Sequence, residues 1–450
     1  MTAGIVPARA GNQTACAAFA RGCAGPLRPD PPMRLMPTSF LLACFAITGA
    51  APQARAQAEA DAKTLAAACN QFAADLHAKL AVNGPPTCSP ASIAMALTML
   101  LPGARGTTAD ELRTALHLPA EFTGTRLYAA AARLLDDLGI RTPRQDAEST
   151  QLQVTNDLWT ARELKAVPAF AAVLRESFAA GHHTVDFAGD PPAALATINR
   201  HVAKATRDRI PELLTPDLVT RDTRVVLTNT IWLKAAWLHA FAERGTRPAP
   251  FHLDDGSTAE VPTMAVADEF GYAESDAWQC VVLPFDDSSL GFELVLPKAG
   301  TTLVAAEAAL LRGEPGQKAA ETRVLVKLPR FKIAAAHRLR AVLQELGLRT
   351  AFGAGADFSG IAAERLMVDD VVHQTWIQVD EKGCEAAGAT AVVLKRGGRA
   401  GKAIEFVADR PFAFTLRDRR TGLVLFVGRV VDPRQAPDAA APEKSAGTKG

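Results

Sequence analysis

The residues able to do chemistry in this chain do not assemble into a catalyst. Serine, histidine and aspartate are scattered without a G-x-S-x-G elbow, and there is no H-E-x-x-H, P-loop or G-x-G-x-x-G. No enzymatic activity is therefore expected. Cys16, Cys23 and Cys44 precede a candidate cleavage point, and Cys69, Cys88, Cys280 and Cys384 follow it at irregular spacing. With no C-x-x-C and no Cys/His cluster at ligand spacing, no metal or cofactor is expected. A Cys69–Cys88 bridge stays open as an option after export. Residues 395–402, Lys-Arg-Gly-Gly-Arg-Ala-Gly-Lys, read as an exposed loop open to proteases. Just before it, residues 380–394 start polar, run through small side chains and end in a β-branched tail. Such a stretch is either a linker or a strand in waiting. It has no proline to block sheet pairing, and too little bulk to stop it sliding between existing strands.

The elements that would hold this stretch alternate in type along the chain. Leu65, Phe72, Leu76 and Leu80 recur at helical spacing. Ser89-Pro90 opens a second helix, with serine as cap and proline in the first turn. Thr108 and Glu111 have the spacing of a capping box. Residues 223–233 are too apolar to be half exposed and read as a central strand buried on both faces. Residues 322–333 alternate as one further strand, 337–346 read as a helix closed by Gly347, and 367–379 as a strand region. Residues 411–431 form a hairpin. Helices dominate early and strands late, an α+β pattern with no break between residues 60 and 432.

The 450 residues, 48% hydrophobic, supply ample core. A net charge of +1 with well-mixed signs points away from nucleic acid and from anionic membranes. Residues 33–56 read as a signal peptide: Arg34, an apolar run over 39–51, and an A-x-A site at Ala54-Arg55-Ala56. Secretion or export to a periplasm follows, with cleavage near Ala56 and no membrane association afterwards. Anchoring through a lipoprotein box at Cys44 is a second reading, on a short apolar run. Residues 1–32 form an extension that translation from Met33 would omit. Residues 433–450 read as a disordered tail.

Several stretches, in shared order, give the chain a resemblance. They are Ser89-Pro90-x-Ser92-Ile93, Asn229-Thr-Ile-x-x-Lys234-x-x-Trp237, and Leu328-Pro329-x-Phe331. Residues 356–361, Ala-Asp-Phe-Ser-Gly-Ile, precede Val371-Val372-His373, and residues 408–412 and 426–433 complete the set. On these the chain resembles the serpins over residues 57–432, as an exported, bacterial, inhibitory member. The resemblance implies a single α+β domain of three β-sheets and about nine helices, with a reactive loop over residues 381–405. It implies a metastable fold whose loop, once cut, inserts as a new strand into the large sheet and traps the protease as an acyl-enzyme. The implied partner is a serine endopeptidase, bound covalently by a monomer that can also form loop–sheet polymers. No nucleic-acid partner is implied.

The resemblance also assigns roles. The hinge would be Glu381, Gly383, Cys384, Glu385, Ala386, Ala387, Gly388, Ala389 and Thr390. Counting along the loop from Glu381 places the reactive bond at Gly397–Gly398, which suits an elastase- or subtilisin-like pocket. A slip of one residue gives Arg396, which suits a trypsin-like one. Ser89, Ser92, Asn229 and His373 would form the shutter under the sheet, with His373 and Asn229 sharing a hydrogen bond. Trp237 would mark the breach, and Arg330 would pair with Glu381. Proline-free small residues in the hinge favour inhibition; the alternative is a non-inhibitory binding or chaperone protein. Cys384 departs from the family's usual Thr, Ser or Val, and as an exposed thiol it would be open to oxidation.

Overall fold

The computed structural model describes residues 39–84, 86–140, 151–384 and 403–434, with backbone alone for residues 39–54 and 83. The chain divides into two units, Met1–Gln53 and Ala54–Gly450. Helix α1 spans Ser39–Leu80. In the second unit it buries Leu65, Phe72 and Leu76, the stripe expected from their spacing. Helix α2, Pro90–Thr98, starts where Ser89 Oγ accepts the Ser92 amide. Nine α-helices occur among the described residues, none long and apolar enough to cross a membrane.

Six strands make the sheet that matters for function: β1 (Gln151–Ala161), β2 (Gly181–Val185), β3 (Val225–Ala236), β4 (Phe331–Arg338), β5 (Val372–Val379) and β6 (Gly383–Cys384). Their order is β4-β5-β6-β3-β1-β2. Helix α3, Pro191–Ala205, is capped by Asp190, whose side chain accepts the Ala193 amide. A nine-stranded sheet holds the remaining strands. Its 17-residue strand Thr258–Glu274 pairs with Arg247–His252, Trp278–Pro284 and Ala320–Pro329, joining into one ladder what the resemblance divides in two. The larger of two apolar clusters among the described residues joins both sheets with α1 and α2.

Three local expectations are corrected. Residues 322–333 are two strands: Ala320–Pro329 belongs to the nine-stranded sheet and β4 to the six-stranded one. The chain crosses at Arg330, because proline ends the first ladder. The helix expected from residue 337 begins at Arg340, since His337 and Arg338 still pair with β5. Thr108 caps nothing. Its helix already starts at Gly106, the Thr108 hydroxyl accepts the Asp357 amide, and Glu111 accepts the Arg349 and Thr350 amides instead.

Candidate functional site

Strand β6 is two residues long and sits at one end of a gap. Gly383 and Cys384 pair with Ala236 and Ala235 of β3, and Cys384 pairs on its other side with Val379 of β5. Among the described residues no ladder joins β3 directly to β5. Gly383 is required here. Its φ is +155°, and a β-carbon would collide with the Ala235 carbonyl.

The turn ahead of β6 is tied down on every side. Trp237 N donates to Lys382 O at 2.9 Å, Phe241 N to Glu381 O at 3.0 Å, and the Trp237 indole N–H to Asp380 O at 2.8 Å. Trp237 stacks on Phe285 with ring centres 4.7 Å apart, which fixes the indole. The Glu381 side chain is buried and accepts from Arg330 Nε at 2.7 Å, from a second guanidinium nitrogen and from the Thr246 hydroxyl. Burial alone would raise the Glu381 carboxyl. The Arg330 and Thr246 hydrogen bonds outweigh it and hold the group below the usual carboxylate range. Arg330 and Glu381 meet as expected; the Thr246 contact carried no sequence signal.

Further down, the gap exposes unmatched groups. Asn229 of β3 donates to Asn156, its register partner on β1, while its carbonyl oxygen is buried without a hydrogen-bond partner. His373 of β5 accepts the Ser89 amide through Nε2 at 2.9 Å. The expected His373–Asn229 bond is absent: His373 bonds the Ser89 amide and Asn229 bonds Asn156 instead. Burial, with His337 nearby, pushes the His373 ring down to about 3, so it stays neutral. Ser89 Oγ donates to Leu425 O, and the Ser92 hydroxyl is buried and unpaired. Ser89 thus links Ser92 and His373, while the Asn229 side chain bonds to Asn156. Beyond them lies an apolar cavity of about 100 Å³, lined by Leu97, Leu100, Leu227, Phe358, Ile361 and Val371.

Cys384 corrects another expectation. It is buried, and desolvation raises its thiol well above the ordinary value, so it is unreactive here. Cys69 and Cys88 are likewise free, buried thiols, pushed up to about 12 by desolvation, and form no bridge. Residues 385–390 of the hinge and the reactive-bond candidates Arg396, Gly397 and Gly398 lie outside the described residues.

On the sheet's other face a strap follows α3. The Arg207 guanidinium lies 4.3 Å over the Trp232 ring of β3, and that of Arg209 lies 4.7 Å over the Trp376 ring of β5. Gln374 donates to Glu212 O at 2.9 Å, and Arg338 pairs with Asp217 at 2.7 Å. The strap therefore spans the gap between β3 and β5.

The family model described as serpin (serine protease inhibitor) matches residues 67–433. An uncharacterized serpin-like protein of Thermococcus kodakarensis is 36% identical over 84% of this chain and 87% of its own. The leukocyte elastase inhibitor of Bos taurus is 34% identical over 82% of this chain and 99% of its own. The solved structure of cleaved Serpin 42Da superposes with a TM-score of 0.73 at 29% identity, covering 83% of this chain and all of that one.

Proposed function

Since the chain belongs to the serpin family, we propose that it is a suicide-substrate inhibitor of serine endopeptidases, worked by insertion of its hinge between β3 and β5. The observation that carries the reading is strand β6, which already occupies the top of that gap with hydrogen-bonded partners on both sides. Continuing its register downward puts residue 390 level with both Asn229 and His373. Thr390 then brings a hydroxyl to the orphaned Asn229 carbonyl, which turns a buried unsatisfied acceptor into a bonded one. The same register puts residue 392 level with Leu227 and Val371, so Val392 reaches the apolar cavity. The inserted face is thus polar where the gap is polar and apolar where it is apolar.

Each new backbone hydrogen bond contributes about 0.5–1.5 kcal/mol net, so a full strand with its apolar burial reaches on the order of 10 kcal/mol. That release would follow cleavage near Arg396 by a trypsin-like protease, or at Gly397–Gly398 by an elastase- or subtilisin-like one. The acylated protease would be carried along as a covalent partner. In this reading the protein is exported, loses its leader near Ala56, and acts outside the cell or in a periplasm as a monomer.

Mixing the protein with trypsin, a pancreatic elastase and a subtilisin tests the proposal. Denaturing gels should show a covalent band with at least one of them, and sequencing the released C-terminal peptide locates the bond. Clean cleavage by all three, with no band, rejects inhibition and leaves a binding or chaperone role.

A further inference from the structure

Three successive elements, β1, β2 and α3, converge on one point beside the six-stranded sheet, away from the hinge. Asp157 of β1 has a side chain only 5% exposed. Its Oδ1 lies 2.8 Å from His183 Nε2 on β2, and its Oδ2 lies 2.8 Å from His201 Nε2 on α3. The three ligand atoms all fall within 4.8 Å of one another. Both imidazoles are 34% exposed, so the point can be reached from solvent.

Two further features shape the point. Trp159 stacks on His183 with ring centres 4.3 Å apart and meets His201 edge-on at 5.2 Å, which orients both rings toward the carboxylate. Gly181 faces Asp157 in the parallel ladder. A β-carbon there would run into Asp157 Oδ1 and lie 2.7 Å from His183 Nε2. Only glycine leaves this volume open.

We infer that Asp157, His183 and His201 form a binding site for a divalent transition metal of the zinc class. Two imidazole nitrogens and one carboxylate oxygen suit such an ion, with water completing a tetrahedron. Ligand atoms about 2.0–2.1 Å from an ion stand about 3.3 Å apart in a tetrahedron, which half-exposed histidines reach by small side-chain rotations. The bound ion takes over the two N–H···O contacts and joins α3 to β1 and β2 through metal–ligand bonds. This inference does not depend on protease inhibition.

Titration of the full chain with Zn²⁺ by calorimetry, and with Co²⁺ by absorption, tests it. One ion should bind at micromolar or tighter Kd. His201→Ala, which removes a ligand, and Gly181→Ala, which keeps all three and fills the space, should each weaken that site at least tenfold. Far-ultraviolet dichroism checks that both variants fold. Zn²⁺ should also slow amide exchange across residues 191–205 in the parent chain and not in His201→Ala. No binding up to 1 mM, or equal binding by parent and both variants, overturns the inference.

Discussion

At Gly383 any side chain would occupy the space that the Ala235 carbonyl already fills. Replacing it with valine places atoms against the Ala235 carbonyl, so β6 cannot bridge β3 and β5. The Gly383→Val variant should be cut by the target protease without forming the covalent band, and a band of undiminished yield would contradict the role given to β6. His373 makes a second prediction at this scale. The folded chain holds its ring neutral down to about 3, whereas an unfolded histidine takes a proton near 6.5. Between those values the unfolded state binds more protons, so stability falls as pH drops, by up to about 1.4 kcal/mol per unit from this residue. His337, also lowered by burial, adds in the same sense. Above pH 7 neither contributes a slope. Urea midpoints at pH 7.5, 6 and 5 should therefore decline in the parent and decline less in His373→Gln; parallel declines would refute the assignment.

At the scale of the strand, insertion demands backbone donors and small or matched side chains. Ala387→Pro removes a donor in the segment that must enter, and should convert inhibitor to substrate while leaving the uncut protein's melting temperature nearly unchanged. Thr390→Arg buries an unpaired charge level with Asn229 and should do the same. Retained inhibition by either variant, read on denaturing gels, would sink the register drawn from β6. The small-then-branched grading of residues 380–394 is plain in the sequence, but residues 385–394 lie outside the described residues, and only Gly383 and Cys384 are seen as a strand. Less legible was Arg330. Alternation across residues 322–333 read as one strand, since side-chain periodicity is the same on both sides of a chain that changes sheets. His373 and Asn229 were expected to share a hydrogen bond, and each bonds elsewhere, to the Ser89 amide and to Asn156. Residue types suggest polar partners, whereas which partner each one takes is decided by the assembled packing.

For the molecule as a whole, the interval between β3 and β5 is a pair of sheet edges enclosed within one fold. Edges invite strands, including a neighbour's. Mild heating should produce polymers visible by size exclusion, and prior cleavage of the loop should abolish them and sharply raise the melting temperature; cleaved protein that polymerises equally would argue against an open gap. Asp157, His183 and His201 escaped a reading by spacing because three separate elements deliver them, so only the assembled fold brings them together. The strap over the gap bears on the outcome in a different way. A strand entering between β3 and β5 pushes them apart by about 4.8 Å, and Arg207 and Arg209 grip opposite banks. Such grips are worth only about 0.5–1 kcal/mol each at exposed sites. On the proposed mechanism the strap must yield before water frees the protease, which makes it a timer. Two chains of equal equilibrium stability would then differ as inhibitors if their straps let go at different speeds.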